Sequence, residues 1–327
     1  MTRTAKEPSF VYLSGGVGGA RLARGLCDVL GADALSLVVN TGDDFKHWGL
    51  DISPDLDTVM YSVSGVGHEA RGWGLQEETF HAVTAMDRLE EHFPREAVTW
   101  FQLGDRDLAT HLVRTQALAG GATLTSVTSR LFESFGVQHR VLPMSDAPQP
   151  TFIHTRADAG EPSQRLAFQD WLVRRRAKDP VARVELGGSG EATPEVLHAL
   201  ERADCVLIAP SNPYVSIDPI LRLSGVRERV ERKPCLAVSP IIGGRAVKGP
   251  LAEMLNDLDG LTPSPHAVML HYAGLVNGCV VEASDLDQQP RCDVSWFPGA
   301  TLMRTRADSR SLAECVVKCA LELLEER

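Results

Sequence analysis

The sequence predicts an α/β fold built on a mainly parallel sheet, with an added helical region. Short apolar runs alternate along the chain with stretches of helical periodicity, and the strongest runs each empty into a loop rich in glycine, serine, proline or aspartate. The first run, Phe10-Val11-Tyr12-Leu13, ends in Gly15-Gly16-Val17-Gly18-Gly19-Ala20-Arg21. Leu22, Leu26, Val29 and Leu30 then share one face of a helix expected over residues 20–30. Residues 35–40 read as a second strand that delivers Thr41-Gly42-Asp43-Asp44 at its carboxyl end, the edge at which open parallel sheets collect ligands. Ser53-Pro54-Asp55 has the form of a helix start: a capping hydroxyl, proline in the first position and an acid favoured by the helix dipole. Val59, Met60 and Val63 would face the core.

Further helices are expected over residues 76–91, 105–119 and 126–135, and strands over 137–142 and 152–155. The region through residue 182 is charged and mixed. Its Arg174-Arg175-Arg176 run reads most simply as a solvated helix face, with phosphate binding the sharper alternative. Alternation then returns. A strand over 181–186 precedes a helix opened by Thr193-Pro194-Glu195, and a buried strand over 205–209 ends in Pro210-Ser211-Asn212-Pro213. Residues 236–238 run into Ser239-Pro240-Ile241-Ile242-Gly243-Gly244, and an amphipathic helix over 311–324 closes the chain. No internal repeat or long linker divides it, so a single domain over 1–327 is expected, with a helical insertion around 65–180.

The 327 residues, 43% of them hydrophobic, suffice for a sizeable core. A formal charge of −10 disfavours a nucleic-acid surface, which needs a basic field, but is compatible with a single nucleotide. The seven cysteines contain no Cys-x-x-Cys pair, so a zinc site or redox dithiol is not indicated and reduced, packed thiols are expected. Cys315 and Cys319 lie one helical turn apart without an accompanying histidine pair. Met1 to Ser9 lacks an apolar signal core, and no run approaches the length of a membrane span. A cytoplasmic protein with no membrane partner is the expectation.

Gly15 to Arg21 is neither of the familiar phosphate fingerprints. Counted from Gly16, the third glycine of Gly-x-Gly-x-x-Gly would fall where Arg21 stands, and no Gly-Lys-Ser/Thr follows. What remains is a turn without side-chain bulk opening a helix. It either presents N–H groups and a dipole to an anion or is only a tight strand-to-helix connection. The aspartates are stronger evidence. Asp43, Asp44, Asp55 and Asp57 cluster within a short stretch, and adjacent carboxylates need a cation or hydrogen-bond donors. Magnesium suits them, because it takes one or two carboxylates and completes its shell with water and phosphate oxygens. The bland alternative gives Asp55 and Asp57 to the helix dipole and Asp43-Asp44 to turn chemistry.

Gly104-Asp105-Arg106-Asp107 precedes a helical stretch with His111 and Arg114. Its acids are equally suited to capping that helix and to a site, and His111 to a core and to a ligand. The Ser211-Asn212-Pro213 and Ser239 to Gly244 loops offer small donors and free amides for a ribose, base or phosphate. Lys248 is either a phosphate partner or a solvated lysine. Nucleophilic catalysis by the protein is not indicated.

Taken in order, Gly-Gly-Val-Gly-Gly-Ala-Arg (15–21), Val-Asn-Thr-Gly-Asp-Asp (39–44), Pro-Asp-Leu-Asp-Thr-Val-Met-Tyr (54–61), Arg-Gly-Trp-Gly (71–74), Leu-Gly-Asp-Arg-Asp-Leu-Ala-Thr-His (103–111), Ala-Pro-Ser-Asn-Pro (209–213) and Ser-Pro-Ile-Ile-Gly-Gly (239–244) resemble the 2-phospho-L-lactate transferase family of coenzyme F-420 biosynthesis. The resemblance implies a Rossmann-like core and a magnesium-dependent transfer to the deazaflavin Fo. The donor would be a guanosine diphosphate carrying 2-phospholactate, phosphoenolpyruvate or 3-phosphoglycerate, and GMP would leave. It further implies that Gly15, Gly16, Val17, Gly18, Gly19 and Arg21, with Ser211, Asn212, Pro213, Ser239, Gly243 and Gly244, hold the guanosine diphosphate part, beside which Lys248 stands as the phosphate candidate read from the residues. Asp44, which matches a position associated with Fo, joins Asp55 and Asp57 as catalytic candidates, and Asp43, Asp44 and Asp57 are the metal candidates. A homodimer is implied as well. Trp48, Trp73 and Trp100 either stack on the deazaflavin or pack.

Two rivals compete with this reading. Related gluconeogenesis-factor proteins share the glycine turn and are thought to bind nucleotide sugars without catalysis, but their Asp-Asp-Gly-Gly-Ser-Ser stretch is replaced here by Asp43-Asp44-Phe45-Lys46-His47-Trp48. A nicotinamide-dependent oxidoreductase is opposed by the broken fingerprint.

Overall fold

The computed structural model describes residues 7–157, 162–290 and 292–326, so most of the Met1 to Ser9 stretch lies outside the described residues. Strand β1 (Phe10–Ser14) is followed by helix α1 (Gly16–Val29) and strand β2 (Leu35–Val39). Helix α1 begins four residues before the expected Ala20. Gly15 is its cap, and the glycines themselves make the first turn, with Gly16 at φ +66°, a left-handed conformation suited to glycine. The poor helix propensity of those residues is offset by close packing: a Cβ on Gly18 would sit 2.6 Å from the Pro210 carbonyl oxygen.

A hairpin that sequence periodicity does not signal comes next, β3 (Phe45–His47) and β4 (Leu50–Ile52), turning through Trp48 and Gly49, both at positive φ. Helices α2 (Pro54–Val63), α3 (His81–Leu89), α4 (Asp107–Ala119) and α5 (Leu124–Ser134) lead to strand β5 (Arg140–Pro143). Strands β6 (Thr151–Thr155), β7 (Arg165–Ala167) and β8 (Val181–Leu186) form a separate antiparallel sheet instead of continuing the parallel one. A π-helical turn, Asp170–Arg174, lies between β7 and β8, and Arg175 pairs with Asp179 at 2.6 Å.

The remaining elements are α6 (Pro194–Arg202), β9 (Cys205–Ile208), a π-helical turn at Pro213–Ile217, α7 (Asp218–Leu221), α8 (Arg227–Val230), β10 (Cys235–Val238), β11 (Ile241–Ile242), β12 (Arg245–Ala246), α9 (Leu251–Asp259), α10 (Pro265–His271), β13 (Gly278–Glu282), β14 (Ser295–Gly299) and α11 (Arg306–Glu325). The seven-stranded sheet runs β14-β13-β10-β9-β1-β2-β5, every neighbouring pair parallel. Alternate residues of β1 feed the two faces, as strand geometry requires. Phe10 and Tyr12 join Leu22, Leu26, Val59 and Val316 beneath α1, α2 and α11. Val11 and Leu13 join Leu200, Ile220, Met254 and Val268 on the opposite face.

Chain order reverses between β1 and β9: β1 pairs with β2 on one side and β9 on the other. In such sheets the carboxyl ends of the two strands flank a crevice that accepts ligands. The Gly15 turn follows β1 and the Ser211 loop follows β9, so both motifs open there. No helix among the described residues is long and apolar enough to cross a membrane.

Candidate active site

A cleft of about 2030 Å³, counted to its open mouth, occupies the switch point. Gly15, Gly16, Val17 and Gly18 line one wall, Asp43, Asp55 and Asp57 another, and Ser211, Asn212, Ser239 and Lys248 a third. Segments far apart in sequence therefore meet on one surface. Gly19 lies behind the turn, where a Cβ would come 2.9 Å from Ser211 Oγ. Pro213 is buried at the start of its π-helical turn and does not line the cleft.

The loops are fixed by their own hydrogen bonds. Ser211 Oγ donates to the Gly15 carbonyl at 2.6 Å, tying the β9 loop to the glycine turn. Asn212 Oδ1 accepts from Tyr214 N at 3.0 Å, and Ser239 Oγ both donates to Ile241 O and accepts from Ile241 N. Gly243 and Gly244, expected at the nucleotide, instead make the two-residue turn between β11 and β12, both with positive φ, outside the cleft lining. Arg21 lines the cleft while donating to the main-chain oxygens of Met303 and Glu69. Lys248 donates to Arg71 O at 2.7 Å, and partial desolvation together with nearby Arg21 holds its pKa below the usual lysine value.

The acids fall into two groups that differ from the expected set. Asn40 Nδ2 donates to Asp43 Oδ1 at 3.0 Å and to Asp55 Oδ2 at 2.9 Å, so one amide spans two buried carboxylates. Gly16 N donates to Asp55 Oδ1 at 2.7 Å, placing the pair against the glycine turn. Burial pushes Asp55 up to about 6, against the hydrogen bonds from Asn40 and Gly16. Burial and then the Asp55 charge push Asp43 well above the usual carboxylate range. Of the expected metal candidates, Asp43 and Asp57 line the cleft, and Asp44 lies behind it within electrostatic reach of Asp43, Asp55 and Asp57. Asp44 does not line the cleft; it accepts from Ser53 Oγ at 2.7 Å, and burial raises its pKa well above the ordinary value. Ser53 thus spends its hydroxyl on Asp44 and not on capping α2.

Asp57 belongs to the second group. Arg114 of α4 grips it through both terminal nitrogens and also meets His111 Nδ1 at 3.2 Å. His111 Nε2 lies 3.3 Å from Asp107, and Tyr61 donates to Asp107 at 2.5 Å and accepts from the Thr110 hydroxyl at 2.9 Å. Asp107, His111 and Arg114 share one face of α4 because they are spaced at four and three residues. Asp105 caps a different helix from the one expected. It accepts from the N–H groups of His81 and Ala82 at the start of α3, because the chain folds back there, and it is absent from the cleft.

Among the described residues no group of three or more histidine, cysteine and carboxylate side chains converges as a metal cage. The Asp43–Asp55 pair nevertheless fits magnesium. Two buried carboxylates beside a phosphate-type turn are the ligand set that a partly hydrated magnesium ion takes, and their mutual repulsion is what a cation relieves.

Sequence reading did not identify Asn40, Tyr61 or Arg114 as site residues, nor the wall formed by Phe168, Gln169, Leu172 and Val173. Asn40 alone carried a signal, as the last residue of the strand feeding the acidic loop. Phe101, which lines the cleft, is the inner edge of an aromatic cluster, with ring centroids 4.8 Å from Phe45 and 5.7 Å from Trp100. Trp48 belongs to the same cluster through His47 and donates to Val98 O, whereas Trp73 lines the cleft directly.

The family model described as 2-phospho-L-lactate transferase CofD matches residues 10–314. The phosphoenolpyruvate transferase of Thermobifida fusca is 41% identical, over 96% of this chain and 98% of its own length. The 2-phospho-L-lactate transferase of Methanosarcina acetivorans is 38% identical, over 94% and 97%. Among solved structures, a UPF0052-family protein from Bacillus halodurans matches with a TM-score of 0.59 at 17% identity, covering 97% of this chain and 100% of that one. That last likeness concerns the fold alone.

Proposed function

Because the chain belongs to the 2-phospho-L-lactate transferase family, a family of transferases in coenzyme F-420 biosynthesis, we propose that it moves a phosphorylated small carboxylic acid from a guanosine-diphosphate conjugate to the deazaflavin Fo, with magnesium bound and GMP leaving. The observation that carries this reading is the Gly16 N–H on Asp55 at 2.7 Å, which joins an anion-type turn to a cation-type carboxylate pair at one end of the cleft.

The residues divide the work. Amides of the Gly15–Gly18 turn and the amino-terminal end of α1 receive the diphosphate. Asp43 and Asp55 would hold the magnesium, whose chemistry when bound is to neutralise charge on the phosphate oxygens. The terminal ribityl hydroxyl of Fo attacks the acyl-side phosphorus in line. The new O–P bond forms as the bond to the GMP oxygen breaks, and the hydroxyl proton leaves to water as GMP departs. Asp57, held by Arg114, positions the acceptor and does not take the proton. Phosphoryl transfer asks chiefly for alignment and charge neutralisation, so these elements suffice. The same reading carries a cytoplasmic homodimer, checked by sedimentation equilibrium.

The test is to incubate the protein with Fo, Mg²⁺ and each guanosine-diphosphate donor in turn, bearing 2-phospholactate, phosphoenolpyruvate or 3-phosphoglycerate. GMP release and product mass are followed with and without EDTA. EDTA-sensitive product from one donor is expected and names the acid. A folded protein that binds guanine nucleotide but turns over none of the three would instead be the non-catalytic nucleotide-sugar-binding regulator that shares this fold.

A further inference from the structure

Beside the cleft lies a second, much smaller recess that is partly open to solvent. It shares Arg21, Thr58, Tyr61, Trp73 and Gly74 with the cleft and reaches the amino-terminal end of α11. Four arginines line it, Arg21, Arg24, Arg304 and Arg306, against one acid, Glu69, in a chain whose formal charge is −10.

Only a fraction of that positive charge is matched. Arg306 has a carboxylate, Asp28, at 2.8 Å from its Nε. Arg21 donates to main-chain carbonyls. Arg24 reaches Glu69 at 3.2 Å through one terminal nitrogen, while its enclosed Nε has no hydrogen-bond partner among the described residues. The Arg24 side chain is only 15% exposed, with Asp28 also within reach of its charge, whereas that of Glu69 is 54% exposed, so the solvated Glu69 is the partner that can give way to a better acceptor. The Arg304 side chain makes no hydrogen bond or salt bridge among the described residues; its charge is met only at a distance, by the Asp308 carboxylate, which is bonded instead to the main-chain N–H of Arg304.

We infer that this cavity is an oxyanion site of the phosphate class, separate from the glycine turn, in which Arg24 and Arg304 hold the anion. Guanidinium forks lining one recess match the oxygens of a phosphate, and a concave, cationic recess in an acidic protein concentrates such an anion. Arg21 stands in the wall between the two cavities, so an anion in the recess and a ligand in the cleft contact the same side chain. Any effect of one on the other is reciprocal.

The test is calorimetric titration with inorganic phosphate, at ionic strength matched with chloride because screening weakens exposed charges. The wild type is compared with Arg24→Gln/Arg304→Gln and with Lys248→Met, a cleft variant, after circular dichroism establishes that each is folded. Saturable binding to the wild type is expected, weakened at least tenfold in the double variant and within twofold of wild type in Lys248→Met. Repeating the titration with GDP present identifies the source of the anion. Competition that depends on Arg24 and Arg304 marks the recess as the seat of an anionic arm of the cleft's own ligand, and independent binding marks a free phosphate. No phosphate binding beyond the chloride control, or binding that is lost in Lys248→Met and retained in the double variant, would overturn the inference. Failure of GDP to bind would count against the donor reading and leave this measurement intact.

Discussion

Arg114 of α4 and Asp57 of α2 form an ion pair almost wholly withdrawn from water, their side chains 2% and 7% exposed. Burial opposes the Arg114 charge, but the Asp57 carboxylate outweighs it and raises the arginine pKa. Breaking such a pair from one side leaves an uncompensated buried charge, a loss of about 3–5 kcal/mol. Arg114→Met is therefore expected to lower unfolding stability in urea by about that amount. Asp57→Asn/Arg114→Met should recover much of it, because no lone charge remains. A single variant within about 1 kcal/mol of wild type, the range of an exposed pair, would show that the two groups are not charged partners.

The Asp43–Asp55 pair gives a pH dependence of definite sign. Asp55 is raised from the ordinary 3.8 to about 6, so between those values the folded chain holds more protons than the unfolded one. Its contribution is fully present below about pH 4 and is lost as pH rises through about 6, a change on the order of 3 kcal/mol for a two-unit shift. The metal-free protein should accordingly gain stability on moving from pH 7 towards pH 5 where these groups dominate. Asp43→Asn keeps an acceptor for Asn40 and removes the like charge. It should stabilise the metal-free protein at neutral pH and flatten the pH dependence of its stability, while reducing turnover at least a hundredfold. Thermal unfolding across pH, with and without Mg²⁺, reads both effects, and a destabilised Asp43→Asn would contradict the charge-repulsion account.

How far the sequence disclosed this site depends on which physical signal each segment carries. The β1 and β9 loops were legible because a buried parallel strand is a run of apolar residues with a visible end. The glycine turn, Asp43, Asp55 and Asp57 could be placed at the cleft because they follow the ends of such strands. Arg114 was not, because α4 is inside out: Asp107, His111 and Arg114 face the interior, while Leu112 and Val113 are 48% and 54% exposed. Hydrophobic periodicity reads such a helix with its faces exchanged. The β3–β4 hairpin was hidden because its strands, Phe45-Lys46-His47 and Leu50-Asp51-Ile52, with Lys46 and Asp51 paired across them as a salt bridge, are three residues long, too short for their alternation to stand out. Gly243-Gly244 misled in the opposite sense. Paired glycines serve a hairpin as well as a phosphate, and only the cross-strand register distinguishes them.

A pair of glycines in α1 separates binding from stability. Gly25 packs directly against the Ser309 main-chain carbonyl of α11, so Gly25→Ala must push α1 and α11 apart in the core. Overpacking of this kind costs about 1–3 kcal/mol. Gly18 meets the Pro210 carbonyl oxygen, at the seam of the two phosphate-side loops. Gly18→Ala should raise the donor KM at least tenfold by displacing the turn from the β9 loop. Gly25→Ala should lower the melting temperature while leaving KM within about twofold. Equal effects of both variants on KM would remove the case for the turn as a binding element.

Arg21 and Lys248 are the cationic side chains lining the cleft among the described residues, against Asp43, Asp55, Asp57 and Asp107. An anionic donor must therefore be drawn to the edge where these two stand, and this attraction is screened by salt over a Debye length of about 8 Å at physiological ionic strength. Lys248 is the more accessible of the pair, and its bond to the Arg71 carbonyl is one a phosphate oxygen can replace. Lys248→Met should raise donor KM about tenfold with kcat changed less than threefold, the pattern of binding energy lost equally from ground and transition states. It should also flatten the decline of kcat/KM between low and high salt. If kcat falls instead while KM and the salt dependence stay unchanged, Lys248 acts on the chemical step and the electrostatic assignment fails.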